Sequence, residues 1–181
     1  MIWFILACTK TPTGTDSGVA TDSGSATDSG STECPNVEDG YLTNGTWALN
    51  IEEALVNDCE NDEGEGIHIH VGQDTMTEWT TDGGCVTMVS DPGNEQEMTW
   101  TGTSDGSTVQ VTGKLQIGFG TCITEVTAVL DGTLTDAETM DYTIEATFDV
   151  YEELSPDACD YLTWAPLPCD NAWRGPGVFV E

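Results

Sequence analysis

The chain has two histidines, His68 and His70, in the stretch GIHIHV. Ile67, Ile69 and Val71 alternate with them, a pattern that predicts a strand with both imidazoles on one face. Two imidazoles and a carboxylate are a common donor set for Zn²⁺ or Cu²⁺, and Glu78 on the neighbouring predicted strand is the third donor the pattern offers. Their face is the polar one, so exposure to solvent explains the same alternation without a metal. A second cluster, DCENDEGEG from Asp58 to Gly66, packs five acids into nine residues. Asp58, Glu60 and Asp62 stand at alternate positions as Ca²⁺ ligands would. A calcium loop needs glycine at its sixth place, however, and Gly64 falls one later. An acidic turn is the simpler reading.

Catalytic signatures are missing. The sequence has no G-x-S-x-G elbow, no phosphate-binding glycine loop and no dinucleotide fingerprint. A glycosidase would need two carboxylates in one cleft, and nothing in the spacing singles out a pair. The expectation is a protein that is not an enzyme and uses no cofactor.

The seven cysteines are more informative. Cys34, Cys59, Cys85, Cys122, Cys159 and Cys169 lie in the body of the chain, and Cys8 stands apart near its start. None shows the C-x-x-C spacing that zinc favours. An odd number is awkward for an exported protein. Set Cys8 aside and six remain, enough for three disulfides in an oxidising compartment. Fifteen connectivities are open. The local expectation is Cys159 with Cys169, across a loop stiffened by Pro166 and Pro168.

Cys8 ends an apolar run, MIWFILAC, too short to cross a bilayer. The residues Ile5-Leu6-Ala7-Cys8 resemble a bacterial lipobox, in which a small residue precedes the cysteine that becomes lipidated. Leu6 departs from the usual small residue at its place. The resemblance implies that residues 1–8 are the end of a signal peptide whose start lies upstream of Met1, and that Cys8 carries the lipid. Residues 9–33 follow, with TDSG three times at a period of six between Thr15 and Gly30. Such a composition cannot offset the entropy lost on ordering. It predicts a flexible tether spanning about 25–30 Å root-mean-square. Lipobox, TDSG tether and cysteine-bearing domain together are similar in layout to envelope lipoproteins of myxobacteria-like Gram-negative bacteria. That layout implies anchoring to the outer membrane and leaves open which face the protein occupies.

Charge limits the partners. The chain carries 33 acids against three bases, a net charge of −30, and Lys114 and Arg174 are the only cations after residue 33. A nucleic-acid binder needs cations against phosphate, so nucleic acid is excluded. Cations and basic proteins are what such a field attracts.

Residues 34–181 must position whatever site exists, and their period is two. TWALNI, GIHIHV, EMTWTG, TVQVTG, KLQIGFG, TEVTAVLDG and DYTIEATFDVYE all alternate. In the last, Tyr142, Ile144, Ala146, Phe148 and Val150 are expected to point inward. NDEGEG, TDGG, DPGN, SDGS, LDG and TDAE read as turns. IEEALVNDC reads as a continuation of the first strand or a brief turn. The expectation is an all-β, disulfide-braced domain, an antiparallel up-and-down meander closing as a barrel or packing as a sandwich. Gly45 and Trp47 in NGTW resemble the G-x-W opening of lipocalins, whose tryptophan packs under an arginine late in the chain. The resemblance implies that Arg174 covers Trp47 and that the barrel mouth binds a small apolar ligand.

Overall fold

The computed structural model describes residues 34, 42–60, 67, 69–94, 97–119, 122–153, 159 and 167–181. Described residues form nine strands and no helix: β1 (Gly45–Asn50), β2 (Glu53–Asn57), β3 (Asp74–Asp82), β4 (Cys85–Ser90), β5 (Met98–Ser104), β6 (Thr108–Phe119), β7 (Cys122–Leu134), β8 (Thr139–Glu153) and β9 (Cys169–Phe179). Every pairing is antiparallel, in the order β1-β3-β4-β5-β6-β7-β8-β9-β2, and β1 also pairs with β9. That last pairing closes an eight-stranded up-and-down barrel, with β2 as an added ninth strand. Of the two architectures the alternation allowed, the barrel is the one formed.

β1 and β2 are two halves of one strand path, as IEEALVNDC suggested. β1 lies between β3 and β9, with Trp47 opposite both Thr77 and Phe179. At Ile51 the N–H still bonds the Gln73 carbonyl, but at Glu52 the N–H bonds the Arg174 carbonyl. From there β2 runs along β9 alone. The bend passes so close to β9 that a Cβ on Gly175 would collide with the Asn50 carbonyl. The Tyr142 hydroxyl donates to that same carbonyl at 3.0 Å.

The inward positions hold the core. Trp47, Trp79, Val111, Leu130 and Met140 are all within 0–1% of full burial, so not even a water molecule fits beside them. The three buried indoles each donate a hydrogen bond inside the barrel: Trp47 to the Thr43 carbonyl at 2.9 Å, Trp79 to Thr77 Oγ1 at 2.7 Å, Trp100 to Ser90 Oγ at 3.1 Å. A buried indole left without an acceptor would forfeit part of its burial gain. Phe179 meets Trp47 edge-on, with ring centroids 6.0 Å apart.

Several expectations need correction. GIHIHV is not a strand in its described part. Ile67 instead bonds back to the Cys59 carbonyl, Gly72 turns the chain with φ +83°, and β3 starts only at Asp74. Val71, expected inward, is 57% exposed. LDG lies inside β7. Gly132 is small there for packing, since a Cβ would come within 2.7 Å of Val109. TVQVTG and KLQIGFG are one strand, β6, joined through Gly113, whose missing side chain leaves room for the Trp100 ring. Tyr142 to Phe148 alternate as expected, but Val150 is 37% exposed. Pairing with β9 ends at Phe148 opposite Cys169, so beyond it β8 has β7 alone among the described residues.

All six body cysteines pair: Cys34–Cys85, Cys59–Cys169 and Cys122–Cys159, with Cα separations of 5.0, 5.1 and 5.0 Å. The expected Cys159–Cys169 link is not formed. Cys169 points inward at the start of β9, beside the end of β2, and there meets Cys59. Buried Asn171 reinforces this corner by accepting from the Cys59 N–H and donating to the Ile67 carbonyl.

The barrel's two ends differ. One carries tight turns: Asp82 and Cys85 are paired across Gly83 and Gly84, both with positive φ, as a two-residue hairpin requires. Asp105 closes another, accepting the N–H groups of Ser107 and Thr108 at 2.9 and 2.7 Å. Those bonds hold its carboxyl down at about 2, against an ordinary 3.8. The opposite end carries the long connections 58–73 and 154–168.

Two outcomes follow. Folding depresses the Asp105 pKa, so its contribution is full above the ordinary carboxylate pKa and is lost as pH falls from 3.8 toward 2. The stability difference between the parent and Asp105→Ala should be constant at neutral pH and shrink across that window in urea titrations. Gly175→Ala should cost about 1–3 kcal/mol by overpacking the bend, whereas Gly118→Ala, which faces open space, should cost nothing measurable.

Candidate functional site

A concavity bordered by described residues lies on the barrel's outer face, over β6 to β9 and the bend into β2. Its volume is about 1090 Å³, and Glu52, Glu53, Gln110, Asp131, Asp141 and Arg174 border it. Alternation builds it: Val109, Leu130 and Tyr142 point into the core, so their neighbours must point out. Register then aligns them. Gln110 faces Asp131, Asp131 faces Thr143, Thr143 faces Arg174, and Arg174 faces Glu53. One polar row thus crosses five strands.

Two contacts tie the row. Gln110 Nε2 donates to Asp131 Oδ1 at 2.7 Å. Arg174 donates through Nε at 2.8 Å and reaches through Nη2 at 2.6 Å to Glu53 Oε2. Both partners of the ion pair are more than half exposed, so solvent screening leaves it worth little. Beneath the row, burial raises the Tyr142 pKa far above its ordinary value, helped by the charge of Asp74. Tyr142 therefore stays protonated at physiological pH. The row offers hydrogen-bonding groups and an excess of carboxylate, the chemistry to hold a cationic or hydroxyl-rich surface.

The residues singled out by sequence fall elsewhere. His70 is exposed in the connection before β3, and Glu78 is exposed on the outer face of β3. His68 and Cys8 lie outside the described residues, as do Asp62 and the rest of 61–66. Among the described residues no group of three His, Cys, Asp or Glu side chains comes together as a metal site. Trp47 and Arg174 are separated. Trp47 is fully buried with Phe179 against it, whereas Arg174 points outward five positions earlier on β9. The covering role that the G-x-W resemblance gave to Arg174 is filled by Phe179.

Sequence reasoning missed the outer row because its members are scattered over five stretches of chain. Outward parity at Gln110 and Thr143 was legible; the register that aligns them was not. The geometry defines a closed, disulfide-braced up-and-down barrel with a polar outer cleft. No protein family, curated protein or solved structure matches the chain.

If Arg174 covered the tryptophan core, its loss would cost several kcal/mol. The outward placement instead predicts that Arg174→Ala changes stability by less than about 1 kcal/mol and leaves the tryptophan fluorescence maximum unmoved.

Proposed function

We propose that this protein is an exported envelope lipoprotein, anchored by lipid on Cys8, that presents the barrel as a non-catalytic binding component. The observation that carries the reading is the cysteine pairing: all six body cysteines are used within the barrel, and one cysteine remains in a lipobox-like sequence. Three disulfides favour an oxidising compartment. The surface works by binding through the acidic outer face, and its partners are cationic: metal cations or basic proteins, not nucleic acid. Cys34 is fastened to Cys85 beside the tight-turn end.

A small-ligand barrel of lipocalin type is the second reading, favoured by closure of eight strands. It is constrained by the filled core, where Trp47, Trp79 and Leu130 leave no space. A guest would have to sit at the opposite end, near Ile117 and Val150.

The anchoring is tested on protein from its native envelope. Mass spectrometry should find an acylated N-terminal Cys8, and Cys8→Ser should move the protein from the membrane to the soluble fraction. Thiol titration of the unfolded, unreduced chain should find none. A single free thiol would mean that Cys8 is unmodified and would end the lipoprotein reading.

A further inference from the structure

β2 is the anomaly of this barrel. Its five residues, Glu53-Ala54-Leu55-Val56-Asn57, are exposed throughout, and among the described residues β9 is its only neighbour. Leu55 and Val56 are 44% and 37% exposed. The connection that bonds Ile51 through Gly72 and Gln73 sets Val71, 57% exposed, near the start of the same free edge. An open edge with apolar side chains on it is a template for another strand, and folded proteins usually blunt such edges with charge, proline or cover. β2 itself has no lysine and no proline.

Charge selects among the occupants. Glu52 and Glu53 lead into the edge, and Asp58 and Glu60 follow it. A second copy pairing antiparallel about Leu55 would set Glu52 opposite Asp58 twice, between molecules of net charge −30, and like charges directly opposite destabilise a strand pair. A lysine- or arginine-bearing strand would meet carboxylates at both ends and apolar side chains at the centre. We infer that the free edge of β2 is a docking site for an extended, basic-and-apolar segment of another protein, added as a further antiparallel or parallel strand beside Leu55. The inference rests on the binding-component reading and names the class of partner. It does not require the lipid.

The test uses the full chain with Cys8→Ser, so that anchoring plays no part, at about 0.15 M salt, where screening beyond about 8 Å suppresses loose association. The probe is a synthetic peptide of alternating lysine and valine, with a glutamate–valine peptide of equal length beside it. The lysine peptide should slow amide exchange at residues 53–57 by about tenfold or more, and the glutamate peptide should not. Leu55 falls at the register shift between Ala54 and Val56, a place where proline is tolerated. Leu55→Pro should therefore keep the near-ultraviolet signal of the buried tryptophans and weaken the peptide by about tenfold, or 1.4 kcal/mol. If that signal is lost, Leu55→Lys replaces it and should weaken binding equally. Three results would overturn the proposal: binding that leaves 53–57 unprotected, equal binding by parent and variants, or a parent dimer that Leu55→Pro dissolves. Lipidation is read separately by mass, so failure here and failure of the anchoring are distinguishable.

Discussion

The structure depends on three residue pairs, Trp47 with Phe179, Ala48 with Val178 and Leu49 with Gly177. They join the first strand of the sheet to the last. Without them the meander is an open nine-stranded sheet with β1 and β2 at its edges. Joining ends some 130 residues apart costs about 4 kcal/mol in loop entropy on the simple chain estimate. The Cys59–Cys169 bond spans 110 residues and is placed to offset that cost in the unfolded chain. On the loop-entropy account it contributes on the order of 4–5 kcal/mol. Closure and cross-link therefore act on the same pair of chain segments: the hydrogen bonds at the tight-turn side of β9, the disulfide at its other end.

Closure has a consequence for function. Eight strands enclose just enough space for side chains or one small guest. Here tryptophan, leucine and methionine occupy that space with their polar atoms satisfied, and no buried polar side-chain atom lacks a partner among the described residues. A core so filled contributes stability. The outer face carries the charge, and it does so in rows because antiparallel register lines up every second residue. Gln110, Asp131, Thr143, Arg174 and Glu53 are brought together by the same alternation that buries Val109, Leu130 and Tyr142.

The period-two pattern was legible wherever one face was uniformly apolar, as from Tyr142 to Phe148. It misled where the alternation was short. GIHIHV has the right pattern, but Gly72 takes a positive φ and the chain turns before any partner strand is reached. LDG has turn composition, yet Gly132 is there to make room for Val109. β3 is legible only as the strand that carries Glu78, and β4 not at all, because threonines fill several of their positions, as in TMTEWTTD, and blur the contrast between faces; Thr77 is fully buried and bonded to Trp47. That six body cysteines would pair was readable by counting. Which ones pair was not, because Cys59 and Cys169 lie 110 residues apart and are brought together by the pairing of β2 with β9. The outer cleft was hidden for the same reason, since register is a property of the closed sheet.

The bend at Ile51–Glu52 ties these points together. Had the first strand continued straight between β3 and β9, the barrel would have no surplus edge. Instead, β3 begins at Asp74, opposite Asn50, and Gly175 lets the chain cross β9 closely enough for Glu52 to take the Arg174 carbonyl. The same step that lets β2 reach Cys169 withdraws it from β3 and leaves one of its edges bare. Among the described residues, the short segment Ala54-Leu55-Val56 is a place where an unpaired strand edge and exposed apolar side chains occur together. At this strand the fold has the features with which one protein adds itself to another's sheet.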